Sequence, residues 1–272
     1  MAMPDVSVQD VAPWITRLAR LGYAAKAVLY TMVGVLAFGV GRGTGGRTTG
    51  GRGALVTILS APFGRILLGL IAAGLIGYAV WRVVEGITDP DRRGNDLKGL
   101  SLRASFIGRG LLHGLLGVSA ARVALSGVSS EDDGQTAERW TARLLDAPAG
   151  ETIVKAVGLA LIGFALYQLY RAFVAKIGRR IDLTAMSPSG ARWAVAVSRF
   201  GIAARGIIFG LMGAAVFRAA RQRDASEAGG TGESLQAIAQ LGRWPLMLIA
   251  LGLIAYGGYE LINARYRRIR ID

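Results

Sequence analysis

One sequence unit occurs three times in this chain, and each copy holds two long apolar stretches. The first stretches align without a gap over residues 20–34, 103–117 and 199–213. In every copy an Arg is followed at positions +2, +6, +10 and +14 by a small residue, a cation, a ring and a Gly. A repeat with this period predicts three copies of one supersecondary unit, which here is a helical hairpin.

The apolar stretches are long enough to cross a membrane. A helix needs about 20 apolar residues to span the hydrocarbon core, and six stretches qualify: residues 18–40, 66–84, 106–126, 153–174, 200–220 and 246–262. Only 18% of the residues are charged, whereas a soluble domain carries about 25%. We therefore predict an all-α, polytopic membrane protein whose three repeated hairpins form a pseudo-threefold bundle of six transmembrane helices.

The predicted organisation is a polar N-terminal segment at 1–13 and repeats at 14–90, 97–178 and 193–268. The N-terminal segment lacks a basic region followed by an apolar stretch and a cleavage site, so we expect no cleaved signal peptide. Within the hairpins, the Gly-rich loop 41–53 is expected to be flexible. Short amphipathic helices are expected at 136–145 and 233–240, either on the membrane surface or as solvated connectors that pack on their own repeat.

The net charge of +14 is not interpreted as a nucleic-acid signal, because the cations lie mostly in loops and at helix ends. One side of the predicted topology carries sixteen basic residues and the other carries eight. The positive-inside rule therefore places both termini in the cytoplasm. The expected partners are membrane lipids, anionic ones among them, and a membrane protein whose identity the sequence does not indicate.

The chain has no Cys and one His, which excludes disulfides, thiolate metal sites and a His-rich metal site. No catalytic constellation is evident, so we expect neither a cofactor nor an enzyme. Asp89, Asp91 and Asp96 cluster in the first inter-repeat loop around a Pro. They are interpreted as a turn, with a divalent-cation site as the alternative.

Lys26, Arg109 and Arg205 share one repeat position, about two turns into the first helix of each hairpin. Charges within a span are costly and are functional candidates by default. In the structural interpretation each side chain snorkels to its own interface. In the functional one the three cations converge near the cytoplasmic mouth and bind an anion or lipid headgroup, with Glu85 and Glu260 as charge partners. The excess of cations over these two acids favours an anionic ligand.

His113 stands where the other repeats have Tyr30 and Phe209. As the single titratable ring at mid-span it is a candidate proton relay. A relay normally needs a neighbouring acid, and its helix has none. The sequence therefore favours a packed, neutral, hydrogen-bonded ring at this position.

Small residues recur on one face of each helix, and they are predicted to be packing seams, because helix association in lipid relies on close contact. The alternative is that they leave a pore or groove. They are Ala27, Thr31 and Gly34; Gly110, Gly114 and Gly117; Gly206, Gly210 and Gly213; Gly74 and Gly77; Ala160 and Gly163; Gly252 and Ala255. Aromatic residues of the second helices are interpreted as a headgroup belt: Tyr78, Trp81, Tyr167, Tyr170, Tyr256 and Tyr259.

These residues resemble a bacterial family of membrane proteins called domain-of-unknown-function family 1206, in which a two-helix unit occurs three times per chain. The segments that carry the resemblance are Arg20-Leu-Gly-Tyr23 with Lys26, Arg199-Phe-Gly-Ile202 with Arg205, Pro62-Phe-Gly-Arg65 and Gly74-Leu-Ile-Gly-Tyr78. Repeat two departs from the pattern at Ser105 and His113. The resemblance implies six spans and the bacterial inner membrane, and it implies no activity and no catalytic residues.

Three functions are compatible with the sequence. The first is a non-enzymatic scaffold, accessory subunit or anionic-lipid-interacting protein. The second is a small transporter or channel with a cationic cytoplasmic mouth, although the mid-span acids and broken helices that mark coupling sites are lacking. The third, a membrane enzyme acting on lipid, needs a nucleophile or paired carboxylates facing a cavity. The first agrees best with the missing catalytic constellation.

Overall fold

The computed structural model describes residues 8–44, 47–89, 94, 96–127, 133–175, 181 and 183–267, and this part of the chain is built from α-helices. The helices are α1 Val8–Arg42, α2 Gly51–Leu59, α3 Gly64–Thr88, α4 Leu97–Ser126, α5 Asp133–Leu145, α6 Gly150–Phe173, α7 Pro188–Gln222, α8 Thr231–Gln240 and α9 Arg243–Tyr266. The all-α prediction is confirmed. Helix α1 begins inside the N-terminal segment that was predicted to precede the first repeat.

Five helices are long and apolar enough to cross a membrane: α1 over Arg17–Arg42, and α3, α6, α7 and α9 over their whole lengths. The chain therefore has the long apolar helices of a multi-pass membrane protein. The remaining predicted span, residues 106–126, lies in α4, which has 30 residues. It is long enough, but Arg109, His113 and Arg122 make it less apolar than the other five.

The long helices pack in a defined order. Helix α1 packs on α9 and α3, α3 packs on α4, and α7 packs on α6 and α9. Neighbouring helices therefore follow the order α4, α3, α1, α9, α7, α6. The residues described for α4 and α6 do not form a comparable contact, so the two ends of this series, which are the two long helices of the middle repeat, are not packed together.

Glycines set the closest approaches within the first and third repeats. In the first repeat, Gly22 of α1 faces α3 so closely that a Cβ at this position would lie 2.8 Å from the carbonyl oxygen of Gly74 and would overlap Tyr78. In the third, a Cβ at Gly201 of α7 would overlap the backbone of Tyr256 in α9. Only Gly permits backbones to approach this closely.

The predicted packing seams are observed on most helices. A Cβ at Gly34 would lie 2.7 Å from the carbonyl oxygen of Ala250, and one at Gly213 would lie 2.9 Å from that of Gly158. Helix α6 is different on one face, because Ala160 is exposed and a Cβ at Gly163 would meet nothing within 4 Å. The packing prediction is therefore wrong for this pair, since no helix lies over it.

Three short helices close one end of the bundle. Helices α5 and α8 correspond to the two predicted amphipathic helices, and α5 contacts both α8 and α2. Helix α2 was not predicted: Gly41 and Arg42 belong to α1 and residues 51–53 to α2, so the expected flexible loop 41–53 is shorter than predicted. Helices α2 and α8 insert apolar side chains into the bundle.

These inserted side chains form an apolar plug at that end. Leu55 and Ile58 of α2 and Leu235 of α8 are fully buried, and Ile238 is 4% exposed. They belong to the same buried cluster as Leu29, Val33, Leu68, Leu246 and Leu253 of the long helices. One half of the bundle interior is therefore packed with hydrocarbon, and the buried charges described below lie in the other half.

We predict that Gly22→Ala lowers the thermal unfolding midpoint in detergent. Overpacking a tight contact costs about 1–3 kcal/mol, and the α1–α3 contact leaves no room for a methyl group. Gly108→Ala is the matched control, because a Cβ at this helical Gly would meet nothing within 4 Å. Equal midpoints for the two variants would show that the close approach of α1 and α3 is not required.

Candidate functional site

Four cations and the rings between them form a continuous chain through the polar half of the bundle. Lys26 and Arg82 share the ring of Tyr78, at 4.6 and 5.1 Å from its centroid. Arg82 and Arg109 share the ring of Phe106, each at 5.3 Å. We call Lys26, Arg82, Arg109 and Arg205, with Glu85 and Glu260, the cation layer.

The chain of cations continues from α4 to α7 through one ring of α6. Phe164 lies 5.7 Å from the Arg109 guanidinium and 6.0 Å from that of Arg205. Arg205 also lies over Phe209 at 4.7 Å and Tyr256 at 4.8 Å. Because a ring face attracts a cation by about 0.5–2 kcal/mol, these rings stabilise the charges without neutralising them.

Lys26 has a carboxylate partner. Its ammonium lies 2.6 Å from Oε1 of Glu260, and the two residues are 4% and 1% exposed. Helix α1 therefore binds α9 through an ion pair that is closed off from both water and lipid. The second oxygen of Glu260 accepts no hydrogen bond within the described part of the chain, so this carboxylate depends on Lys26 for its neutralisation.

Arg82 is the second cation with a carboxylate partner. It pairs with Glu85 one turn along α3, and it donates hydrogen bonds of 2.9 Å to the hydroxyls of Tyr78 and Tyr23. Glu85 was expected to pair with one of the three repeat cations, but it pairs with Arg82. Arg82 was missed from the sequence. In the sequence, Arg82 can be recognised as a charged residue four positions after Tyr78 within the otherwise apolar predicted span 66–84.

Arg109 and Arg205 are left without a carboxylate. Arg205 Nε donates to the hydroxyl of Tyr30 at 3.0 Å, and Arg109 donates only to its own helix, at Ser105 Oγ (2.9 Å) and the Ser105 carbonyl (3.1 Å). Among the described residues, no Asp or Glu forms an ion pair with either. The cation layer therefore keeps two positive charges in excess, and they lie on the two sides of Phe164.

The snorkelling interpretation does not describe two of the three repeat cations. Lys26 and Arg205 are only 4% and 7% exposed, so they point into the bundle. Arg109 is partly exposed.

His113 is a buried ring in this layer. Its Nδ1 lies 2.8 Å from the carbonyl oxygen of Arg109, and because a carbonyl only accepts, Nδ1 carries the proton and donates it. Its ring meets Tyr78 edge-on with centroids 5.1 Å apart. Within the described residues no carboxylate bonds to it, so its geometry is that of a packed structural ring.

The aromatic belt is observed only in part. Tyr167 and Tyr170 of α6 are 40% and 56% exposed, as residues of a headgroup belt would be. The belt interpretation is wrong for the aromatic residues of α3 and α9, which are buried in the bundle: Tyr78, Trp81, Tyr256 and Tyr259. The three tyrosines contact cations instead: Tyr78 contacts Arg82, Tyr256 contacts Arg205 and Tyr259 contacts Arg171.

The acidic residues after α3 form a turn. Asp89 accepts a hydrogen bond from the backbone N–H of Gly94, and Asp96 caps α4 by accepting from Gly99. Asp91 lies outside the described residues. The two described carboxylates are thus used by the backbone, as the turn interpretation expects.

The long apolar helices indicate a multi-pass α-helical membrane protein. The sequence model of the family Domain of Unknown Function (DUF1206) matches three times, over residues 21–89, 104–175 and 200–267. The chain belongs to this family, as the repeats indicated. It is similar to the uncharacterized protein YxxB of Bacillus subtilis (strain 168), with 34% identity over 264 residues, which cover 96% of this chain and 94% of the relative. No solved structure matches significantly.

We predict that removing one member of the Lys26–Glu260 pair is far more damaging than removing both. Lys26→Met leaves a buried, unneutralised carboxylate and should lower the free energy of unfolding by about 3–5 kcal/mol. The double variant Lys26→Met/Glu260→Gln should recover much of this loss. Thermal unfolding of all variants in one detergent measures the difference. Additive losses would show that the two charges do not stabilise each other.

Proposed function

We propose that this protein is a non-enzymatic integral membrane protein that binds the headgroup of an anionic phospholipid at Arg109 and Arg205. The observation that supports this proposal is the charge imbalance of the cation layer. Lys26 and Arg82 pair with the two carboxylates of the layer. Within the described residues, the other two cations contact rings, the hydroxyls of Tyr30 and Ser105 and one backbone oxygen, and neither forms an ion pair. A buried charge without a counter-charge is costly, and a phosphate would remove that cost.

A phosphate is the anion that suits these side chains. Guanidinium groups bind phosphate oxygens with short, charge-assisted hydrogen bonds, often in pairs. Arg109 is accessible from outside the bundle, whereas Arg205 lies deeper, beyond Phe164. Because the layer lies within membrane-spanning helices, the phosphate source in immediate reach is a phospholipid headgroup.

The proposed architecture is six spans in a pseudo-threefold bundle with both termini in the cytoplasm of a bacterial inner membrane. Three equivalent contacts support it, because each first helix packs on the second helix of the preceding repeat: α1 on α9, α4 on α3 and α7 on α6. Helix α4, the least apolar, is included because it lies along α3, where a Cβ at Gly110 would be 2.9 Å from the Ala79 carbonyl oxygen. The charge bias of the loops supports the orientation.

In this proposal the protein acts as a scaffold or accessory subunit whose lipid-bound state is recognised by a membrane protein partner. The transporter or channel alternative has less support. The apolar plug of α2 and α8 occupies the bundle interior opposite the cation layer, and conduction along the axis would have to cross that packed hydrocarbon.

We predict that the proposed orientation gives opposite labelling at two engineered cysteines. The chain has no Cys, so Arg47→Cys and Ser189→Cys each provide one thiol at an exposed position. In spheroplasts, a membrane-impermeant maleimide should label position 47 without permeabilisation and position 189 only after it. The reverse pattern would contradict cytoplasmic termini.

We predict that Arg109→Gln/Arg205→Gln loses bound anionic phospholipid. The protein is purified in mild detergent from membranes that contain phosphatidylglycerol, and retained lipid per protein is measured by mass spectrometry. Because hydrogen bonds to charged groups contribute about 1.5–3 kcal/mol each, the retained amount should fall by about tenfold or more. Arg122→Gln, at the other end of α4 and exposed, is the control. Undiminished retention by the double variant would refute the proposal.

A further inference from the structure

The middle repeat differs from the other two in the packing of its own helices. Helix α1 packs on α3 and α7 on α9, whereas the residues described for α4 and α6 form no comparable contact. Equivalent positions therefore differ in exposure: 63% at Leu112 against 4% at Leu29 and 2% at Ile208, and 43% at Val157 against 2% at Ile71 and 8% at Ile249. Positions covered by protein in two repeats face outward in the third.

Two close-contact glycines are replaced in the middle repeat, one of them by Ala160, which stands where the other repeats have Gly74 and Gly252. The other is the position of Gly22 and Gly201, where a Cβ would overlap the facing helix. The equivalent residue of the middle repeat is Ser105. A side chain at this position does not fit such a contact, and the Ser105 hydroxyl instead accepts a hydrogen bond from Arg109 at 2.9 Å and donates one to the Leu102 carbonyl at 2.7 Å.

The opening between α4 and α6 has a polar end and an apolar end. On α4 the residues that share its face are Ser105, Arg109, Leu112 and Leu116, spaced so that they line one side of a helix. On α6 the corresponding residues are Val157, Ala160, Phe164 and Tyr167. The 5.7 Å contact between Arg109 and Phe164 sets the register of the antiparallel pair. Ser105, Arg109 and Tyr167 therefore lie at one end, and the aliphatic side chains lie at the other.

We infer that this opening is the lateral entrance through which one anionic phospholipid leaves the bilayer and docks, an inference that rests on the proposed function. Its phosphate binds Arg109, and the positive charge of Arg205, on the other side of Phe164, adds to the attraction. One acyl chain lies along Leu112, Leu116, Val157 and Ala160. The order of charge and hydrocarbon along the opening matches that of a phospholipid. A transmembrane helix would match it only with an acidic residue at the depth of Arg109.

The test fills the opening and leaves its cations in place. Val157→Trp and Ala160→Trp put an indole into the apolar end, and Leu166→Trp puts one on the outer face of the same helix, where Leu166 is 62% exposed. Phosphatidylglycerol retained after purification in mild detergent is measured for each variant, beside wild type and Arg109→Gln/Arg205→Gln. Thermal midpoints establish that each variant is folded.

The expected result is that the two filling variants lose phosphatidylglycerol as far as the double Arg variant does, while Leu166→Trp retains it. Wild-type retention in both filling variants, with loss in the double Arg variant, would overturn the lateral entrance and leave the proposed function standing. Retention in the double Arg variant would refute the proposed function itself. A disulfide-linked dimer formed by Val157→Cys in membranes would overturn the inference by showing that a second copy covers the opening.

Discussion

A positive charge inside a membrane-spanning bundle must be met by a carboxylate, a ring face or a bound anion, because neither lipid nor packed side chains solvate it. The interior of this protein is arranged around that requirement. Lys26 and Arg82 take the two carboxylates, Glu260 and Glu85, and aromatic rings lie between successive cations. Rings attract a cation but carry no net charge, so two arginines of the layer remain positive. The proposed lipid site follows from this imbalance.

The packing of the helices determines which of the cations without a carboxylate is accessible from outside the bundle. Glycines bring the two long helices of the first and third repeats together, and their cations are almost fully buried. In the middle repeat Ser105 and Ala160 replace two of these glycines, α4 and α6 form no comparable contact, and Arg109 is the cation that stays partly exposed. The Ser105 hydroxyl accepts a hydrogen bond from the Arg109 guanidinium.

Much of this could be predicted from the sequence, because the repeats and apolar periodicity are local properties. They indicate the helices, the family, the equivalence of Lys26, Arg109 and Arg205, and the departure at Ser105. Helix order could not be predicted, because neighbours such as α1 and α9 are far apart in the chain. For the same reason Arg82 was missed and Tyr256 was placed at the lipid interface. Helix α2 was missed because its first three residues, 51–53, belong to a Gly-rich stretch that resembles a flexible loop.

The most direct test of this account is an electron cryomicroscopy structure in nanodiscs of phosphatidylethanolamine and phosphatidylglycerol, with a bound antibody fragment to add mass. The account predicts headgroup density against Arg109 on the side of Phe164 and Arg205, acyl-chain density between α4 and α6, and no headgroup at Lys26, whose charge Glu260 already neutralises. A closed contact between α4 and α6 without lipid, or a headgroup bound at Lys26 in place of Glu260, would contradict it.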